Sequence, residues 1–352
     1  MTLPRLYLIQ IFRGLAALAV VLLHINQSSK FYLNINWLNG IFLGGWFGVD
    51  FFFVLSGFII FYVHHKDLEN QTNIKSFFKK RFVRIFPIYW ILASVYLFFL
   101  ISTGKLNWSD HYIYIIKSYL LIPPFTSPFL GVAWSLVFEC FFYVIFGIGI
   151  FLGLRIMKYL LIVWLSLILI ANTWSFPFSS SFIFNNFILE FLFGCIVSYH
   201  FVYNRSKIII NPNLFIYLGV FILFCMYLIT LYTDLGTKAS LASRFGYGIA
   251  SSLLIYGAAM FNRLKDVKIN KFWLTLGDAS YTLYLIHPIV LGISYKSIAF
   301  FLKNHLYLNE FFGFLVLIIT LIVGVFFHIY IEKKVIIFFS DKFSLKKKTL
   351  ID

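Results

Sequence analysis

Residues 9–26 read Ile9-Gln-Ile-Phe-Arg13-Gly-Leu-Ala-Ala-Leu-Ala-Val-Val-Leu-Leu-His24-Ile-Asn26, and their reading decides the fold. At 1.5 Å of rise per residue, this apolar stretch is long enough as a helix to cross a bilayer core. It nevertheless carries Arg13 and His24. A spacing of three helical turns puts the two side chains on nearly one face, roughly 16 Å apart along the axis. A charge inside a membrane helix costs at least about 2.5 kcal/mol, so such residues turn towards a polar cavity and mark function. The helix is expected to form the centre of an active site.

The remainder of the chain has the same character. Its 352 residues are 61% hydrophobic, 22% aromatic and 12% charged, with a mean hydropathy of +0.90. No soluble core needs that much apolar side chain, whereas a bundle of lipid-facing helices does. The net charge of +16 could suggest nucleic acid, but the Lys and Arg residues sit in short segments between apolar runs. That distribution marks the cytoplasmic side of a membrane protein, so the expected partner is the lipid bilayer and no nucleic acid. The first apolar run follows only Arg5 and has no small-residue cleavage site after it, so it reads as a retained span rather than a signal peptide. Cys140, Cys195 and Cys225 all lie within apolar runs, which implies no disulfide framework and no metal site.

Hydropathy divides the chain into spans at 8–27, 44–64, 84–103, 134–153, 156–175, 182–203, 213–232, 243–262, 274–302 and 311–339. The prediction is an all-α polytopic membrane protein of about ten transmembrane helices, with the N- and C-termini cytoplasmic. Placing the N-terminus inside puts 21 of the 29 Lys and Arg residues on the inner side and seven outside, with Arg13 in the first span. A single transmembrane domain over 1–340 is expected, followed by a basic cytoplasmic tail at 341–352. The segment 112–122 is too short to span and is expected at the interface.

Ionisable residues inside these spans are the candidate site. Asp50 lies in the outer part of the second span, at a depth similar to His24; it reads as an acidic partner for a buried base, a helix-start cap, or a catalytic carboxylate. The neighbouring Ser56-Gly57 reads as a small-residue contact for close helix packing. Arg81 and Arg84 share a helix face at the inner mouth of the third span. Two forked guanidiniums suit a phosphorylated ligand, although basic residues also gather there for topology alone. Glu139 lies about one turn below Trp134, and Glu190 sits in the sixth span as a candidate structural partner. In the ninth span Ser280, Tyr284 and His287 follow the i, i+4, i+7 pattern of one helix face, with Pro288 next. A membrane histidine such as His287 serves either as an inter-helix hydrogen-bonding group or in the site itself.

Five pieces together resemble the acyltransferase 3 family of integral-membrane acyltransferases. They are Arg13 and His24 with ten residues between them, Gly48-Val-Asp-Phe-Phe-Phe-Val-Leu-Ser-Gly57, Arg81-x-x-Arg84 before Ile85-Phe-Pro, Trp134-Ser-Leu-x-x-Glu139, and Ser280-Tyr-x-x-Tyr-Leu-x-His287. They occur in the family's order over nearly the whole chain, in the manner of its short members that decorate exopolysaccharides or surface glycans. Some relatives carry an extra outer-side esterase-like domain, for which this chain has no room.

The resemblance implies an O-acyltransferase of the cell membrane that moves an acyl group, usually acetyl, from cytoplasmic acyl-coenzyme A to a hydroxyl of a glycan or lipid-linked saccharide. Coenzyme A phosphates would lie by Arg81 and Arg84, and the pantetheine arm would run along Arg13 towards His24. His24 would be the general base on the sugar hydroxyl or the acylated nucleophile. Asp50 or Glu139 would orient it, while Tyr284 or Ser280 would polarise the thioester oxygen. His287 joins them on the donor side. Heavy use of Phe, Ile, Asn and Lys fits an AT-rich bacterial genome. The competing reading is a transporter or flippase of a lipid-linked glycan, against which stands the lack of two related halves.

Overall fold

The computed structural model describes residues 6–343 apart from residue 107 and segments 124–126, 174–181, 205–210, 234–239, 265–268 and 302–308. Among the described residues every regular element is a helix. The first, α1 (Tyr7–Leu33), is rich in Leu and Ala, which lose little side-chain freedom in a helix. It stops where Asn34 turns left-handed (φ 58°) and its N–H closes the last turn on the Lys30 carbonyl. After α2 (Phe47–Asn70) comes α3 (Ile74–Ser102), which starts ten residues before the expected span. Lys79, Lys80 and Arg81 therefore stand on a helix rather than in a loop; straight-chain cations favour that state. The short α4 (Trp108–Leu120) is tied to α3 by the Tyr89 hydroxyl, which donates to the Ser118 carbonyl at 2.7 Å, and by Trp90 Nε1, which donates to Tyr119 at 2.9 Å.

The chain continues through α5 (Trp134–Leu152), α6 (Leu154–Thr173), α7 (Phe187–Tyr203), α8 (Pro212–Tyr232) and α9 (Leu241–Leu264). The expected single span at 274–302 is two helices, α10 (Lys271–Asp278) and α11 (Ser280–Phe301), separated at Ala279. Hydropathy does not register a one-residue break within an apolar run. The last span joins α12 (Asn309–Phe327) to α13 (Lys333–Lys342) through a single π-turn at His328–Glu332. The helix thus reaches Lys342, and the rest of the expected tail, from 344 on, falls outside the described residues.

Eight of these helical runs are long and apolar enough to cross a bilayer. To them add α7, at 17 residues, and α9, whose apolar run between Arg244 and Arg263 is diluted by Gly, Ser and Tyr. These ten coincide with the ten runs expected, and the protein is an all-α polytopic membrane protein. At the centre α1 touches α2, α9, α10, α11 and α12, whereas α6 and α8 lie at the rim with most of their surface turned outwards.

The tightest contact joins α2 to α7. A Cβ added at Gly57 would meet the Phe191 carbonyl, and one added at Gly194 would meet the Val54 carbonyl, so both helices need the bare backbone. The small-residue reading of Ser56-Gly57 is thereby accounted for at Gly57, while Ser56 has a separate task. Gly277 fits α10 against the Gln10 backbone of α1 in the same way, which sets Arg13 level with the start of α11.

Candidate active site

A cavity open at its mouth lies between α1, α2, α3, α5 and α11, with about 1180 Å³ of empty space when the open solvent at the mouth is included. Arg13 comes to it from α1, Lys80, Arg81 and Arg84 from α3, and Glu139 and Tyr143 from α5. Ser280, Tyr281 and Tyr284 from α11 complete the polar wall, with Phe52 and Ser56 of α2 opposite. Four cationic side chains face a single carboxylate, so the cavity favours an anion. Arg13 and Arg84, expected apart in sequence as donor contacts, meet on one wall.

Each polar group is held by a specific neighbour. Arg13 Nη1 donates to Gln10 Oε1 at 2.9 Å, one turn back on the same helix. The Arg84 guanidinium sits 3.5 Å from Glu332 Oε1 and 5.5 Å from the Tyr281 ring centre. Arg81 instead lies against aromatic faces, 5.7 Å from Tyr143 and 6.0 Å from Phe77, and its buried Nε has no hydrogen-bond partner. Glu139 Oε1 accepts from Ser56 Oγ at 2.9 Å and from the Tyr143 hydroxyl. The Tyr284 hydroxyl donates to the Val132 carbonyl at 3.0 Å and lies 2.8 Å from Ser135 Oγ. Ser280 Oγ is buried without a hydrogen-bond partner on the cavity wall.

His24 lies beyond this wall. Its Nδ1 is 2.8 Å from the Val20 carbonyl; a nitrogen facing a carbonyl carries the proton, which leaves the Nε2 lone pair available. The His287 ring packs 4.7 Å from it, centre to centre, with Nδ1 3.2 Å from the Leu283 carbonyl and a buried, unpartnered Nε2. Tyr284 bridges the two zones, lining the cavity while its ring stands 5.9 Å from His287. The polar path therefore runs from the arginines through Tyr284 to the histidine pair. His287 belongs with His24 rather than with the donor side where the sequence put it.

Asp50 and Glu139 do not orient His24: among the described residues no hydrogen bond joins either carboxylate to it. The Val20 carbonyl holds the ring instead. Asp50 is fully buried against Arg244 of α9, whose Nη1 also reaches Glu190 Oε1 at 3.2 Å. The first reading of Asp50, an acidic partner for a buried base, describes its place, and the base is Arg244. Glu190 finds its structural role in the same cluster.

Sequence reasoning passed over Tyr143, Arg244 and Glu332. Tyr143 stands one turn after Glu139, a spacing that could have marked it. Arg244, one of the seven basic residues on the outer side, falls just inside the expected span at 243–262. Glu332 pairs with His328 at i, i+4 in the last span, two costly membrane residues on one face.

The chain belongs to the acyltransferase 3 family: the family's acyltransferase domain model matches residues 6–330. Its curated relatives include YrhL of Bacillus subtilis (strain 168), named as a candidate peptidoglycan O-acetyltransferase. YrhL is 29% identical over 161 residues, which is 41% of this chain and 24% of that protein. ExoZ of Rhizobium meliloti (strain 1021), an exopolysaccharide production protein, is 26% identical over 263 residues, covering 71% of this chain and 78% of that one. The match thus spans about a quarter of YrhL and over three quarters of ExoZ. No solved structure matches the chain significantly.

Proposed function

We propose that the protein is an O-acyltransferase that takes an acyl group, acetyl by preference, from cytoplasmic acyl-coenzyme A and delivers it to a hydroxyl of an exported or surface glycan. The membrane is the bacterial cell membrane, with the arginine mouth on the cytoplasmic side as the basic-residue bias suggests. The observation that carries this reading is the cavity with four cations and one carboxylate, whose inner wall ends at Tyr284 beside the His24–His287 pair. Guanidiniums at its mouth suit phosphates, and the apolar middle suits a thin acyl-carrying arm.

In this mechanism, Arg81, Arg84 and Arg13 hold the donor's phosphates and upper arm. The thioester lies near Tyr284 and Ser280; the unpartnered Ser280 hydroxyl donates to its carbonyl oxygen as negative charge develops there, and Tyr284 joins it only by giving up its bond to the Val132 carbonyl. His24 Nε2 removes the proton from the sugar hydroxyl, the sugar oxygen attacks the thioester carbon, the C–S bond breaks, and the imidazolium returns the proton to the thiolate. A two-step variant, in which Nε2 itself takes the acyl group before the sugar does, uses the same geometry. His287, whose ring packs 4.7 Å from that of His24, centre to centre, flanks the imidazole. The named activity of YrhL and the polysaccharide role in the name of ExoZ point the same way for the acceptor class.

The test follows radiolabel from acetyl-coenzyme A into cell-surface glycan, in wild type and in His24→Ala at matched membrane expression. General base catalysis contributes about 10²–10⁴-fold, so the variant should fall at least 100-fold. Undiminished labelling in His24→Ala would remove His24 from the mechanism. A wild type that adds no label, together with lost glycan export on deletion, would make the protein a transporter.

A further inference from the structure

Behind the donor wall lies a second, smaller cavity, bordered by Arg13, Arg84, Asp278, His328, Glu332 and Lys333. Arg13 and Arg84 line both cavities and form the partition between them. On the far side of that partition sits Glu332, a carboxylate with no solvent exposure. Its Oε2 accepts from the Thr282 hydroxyl and bonds His328 Nδ1, each at 2.5 Å. Its Oε1 accepts no hydrogen bond and stands 3.5 Å from Arg84 Nη1.

The helix itself is built to present this carboxylate. The π-turn at His328–Glu332 is the one wide turn among the described helices. One extra residue re-phases α13 by about 100° relative to α12. Glu332 ends that turn and points into the bundle, where Ile336, one turn on, packs against Val83 of α3. That contact sets α13 beside the helix that carries Arg84. Single π-turns in long helices occur frequently at functional sites, and here the turn delivers a carboxylate to the back of a cavity-lining arginine.

We propose that Glu332 is a positioning residue for Arg84, holding the guanidinium flat on the cavity wall so that its free edge faces the anionic head of the donor. This inference rests on the reading of the arginine cavity as the donor site. An arginine loses considerable side-chain freedom when it grips a ligand, and a carboxylate behind it removes that freedom beforehand. A carboxylate also weakens the local positive field, so the two effects oppose each other. Orientation wins for two reasons. The charge on Glu332 is already spread over bonds to Thr282 and His328. Lys80, Arg13 and Arg81 also leave the cavity cationic whatever Glu332 contributes.

The test is equilibrium binding of acetyl-coenzyme A to the full-length protein in lipid nanodiscs. Glu332→Gln keeps the shape and removes the charge, and should weaken binding about fivefold; Glu332→Asp should restore part of the loss. In the double variant Glu332→Gln/Arg84→Gln, binding should be no weaker than in Arg84→Gln alone, because the carboxylate acts only through that arginine. Thr282→Val, which removes one of the bonds holding the carboxylate, should weaken binding about twofold. It serves as the test should Glu332→Gln fail to fold. Binding unchanged or tighter in Glu332→Gln, or in Thr282→Val, while Arg84→Gln weakens it, overturns the positioning role and leaves the donor site standing. Binding unchanged in Arg84→Gln as well overturns both.

Discussion

Two groups of charged residues lie inside this bundle, and they are built in opposite ways. At the arginine cavity, cations outnumber carboxylates, Arg81 keeps an unpartnered Nε, and the space in front of them is open. In the cluster of Asp50, Arg244 and Glu190, two carboxylates close on one guanidinium, all three residues are at least 96% buried, and the Arg244 guanidinium lies 4.6 Å from the Phe187 ring. The first arrangement leaves charge waiting for a ligand. The second consumes its charge internally and ties α2, α7 and α9 together. An ionisable residue inside a membrane helix is therefore a reason to look for function, but whether its charge is already answered decides which kind of residue it is.

The contrast makes variants in the two regions fail differently. The largest effect is expected at Arg244. Its replacement by Met leaves Asp50 and Glu190 buried together without a counter-charge, which should cost about 3–5 kcal/mol and appear as a large fall in the melting temperature of the detergent-solubilised protein. A triple variant, Asp50→Asn/Glu190→Gln/Arg244→Met, should recover most of that loss, since no uncompensated charge remains. Failure of the triple variant to recover would mean that the cluster does more than tie helices. Next in size, Arg81→Gln should leave the melting temperature within a degree or two while weakening acetyl-coenzyme A binding about tenfold, as the loss of a charge-assisted phosphate contact does. A melt as damaged as that of Arg244→Met would erase the distinction between the two regions. The smallest effect is expected for Tyr143→Phe, which takes one of two hydrogen bonds from Glu139. It should lower stability by about 1 kcal/mol and shift donor binding less than threefold. A complete loss of transfer in this variant would move Tyr143 into the chemistry.

Most of the fold was legible in the sequence because membrane helices announce themselves by length and apolar run. All ten expected runs exist, and the quoted first stretch does lie at the centre. Two details escaped. The break at Ala279 and the early start of α3 at Ile74 change no hydropathy average. Within the site, Arg13, Arg81, Arg84, Glu139, Ser280 and Tyr284 were identified and do meet around one cavity. Which group answers which was not legible. Linear spacing gives the face and depth of a residue on its own helix, but not the neighbour across the gap. Asp50 and His24 share a depth, yet the carboxylate turns to Arg244 and the imidazole to His287. Glu332 escaped for a related reason: its orientation depends on a π-turn that no regular periodicity predicts.

The central claim is that the arginine cavity holds the acyl donor. Its most direct measurement is equilibrium binding of acetyl-coenzyme A to the full-length protein in nanodiscs, for wild type and Arg81→Gln/Arg84→Gln, at low and at high salt. Binding by wild type should weaken as salt rises, and the double variant should lose at least 30-fold, with a smaller fall in melting temperature than Arg244→Met because Glu332 keeps its bonds to Thr282 and His328. Equal affinity in the two proteins, with the same response to salt, would contradict the claim.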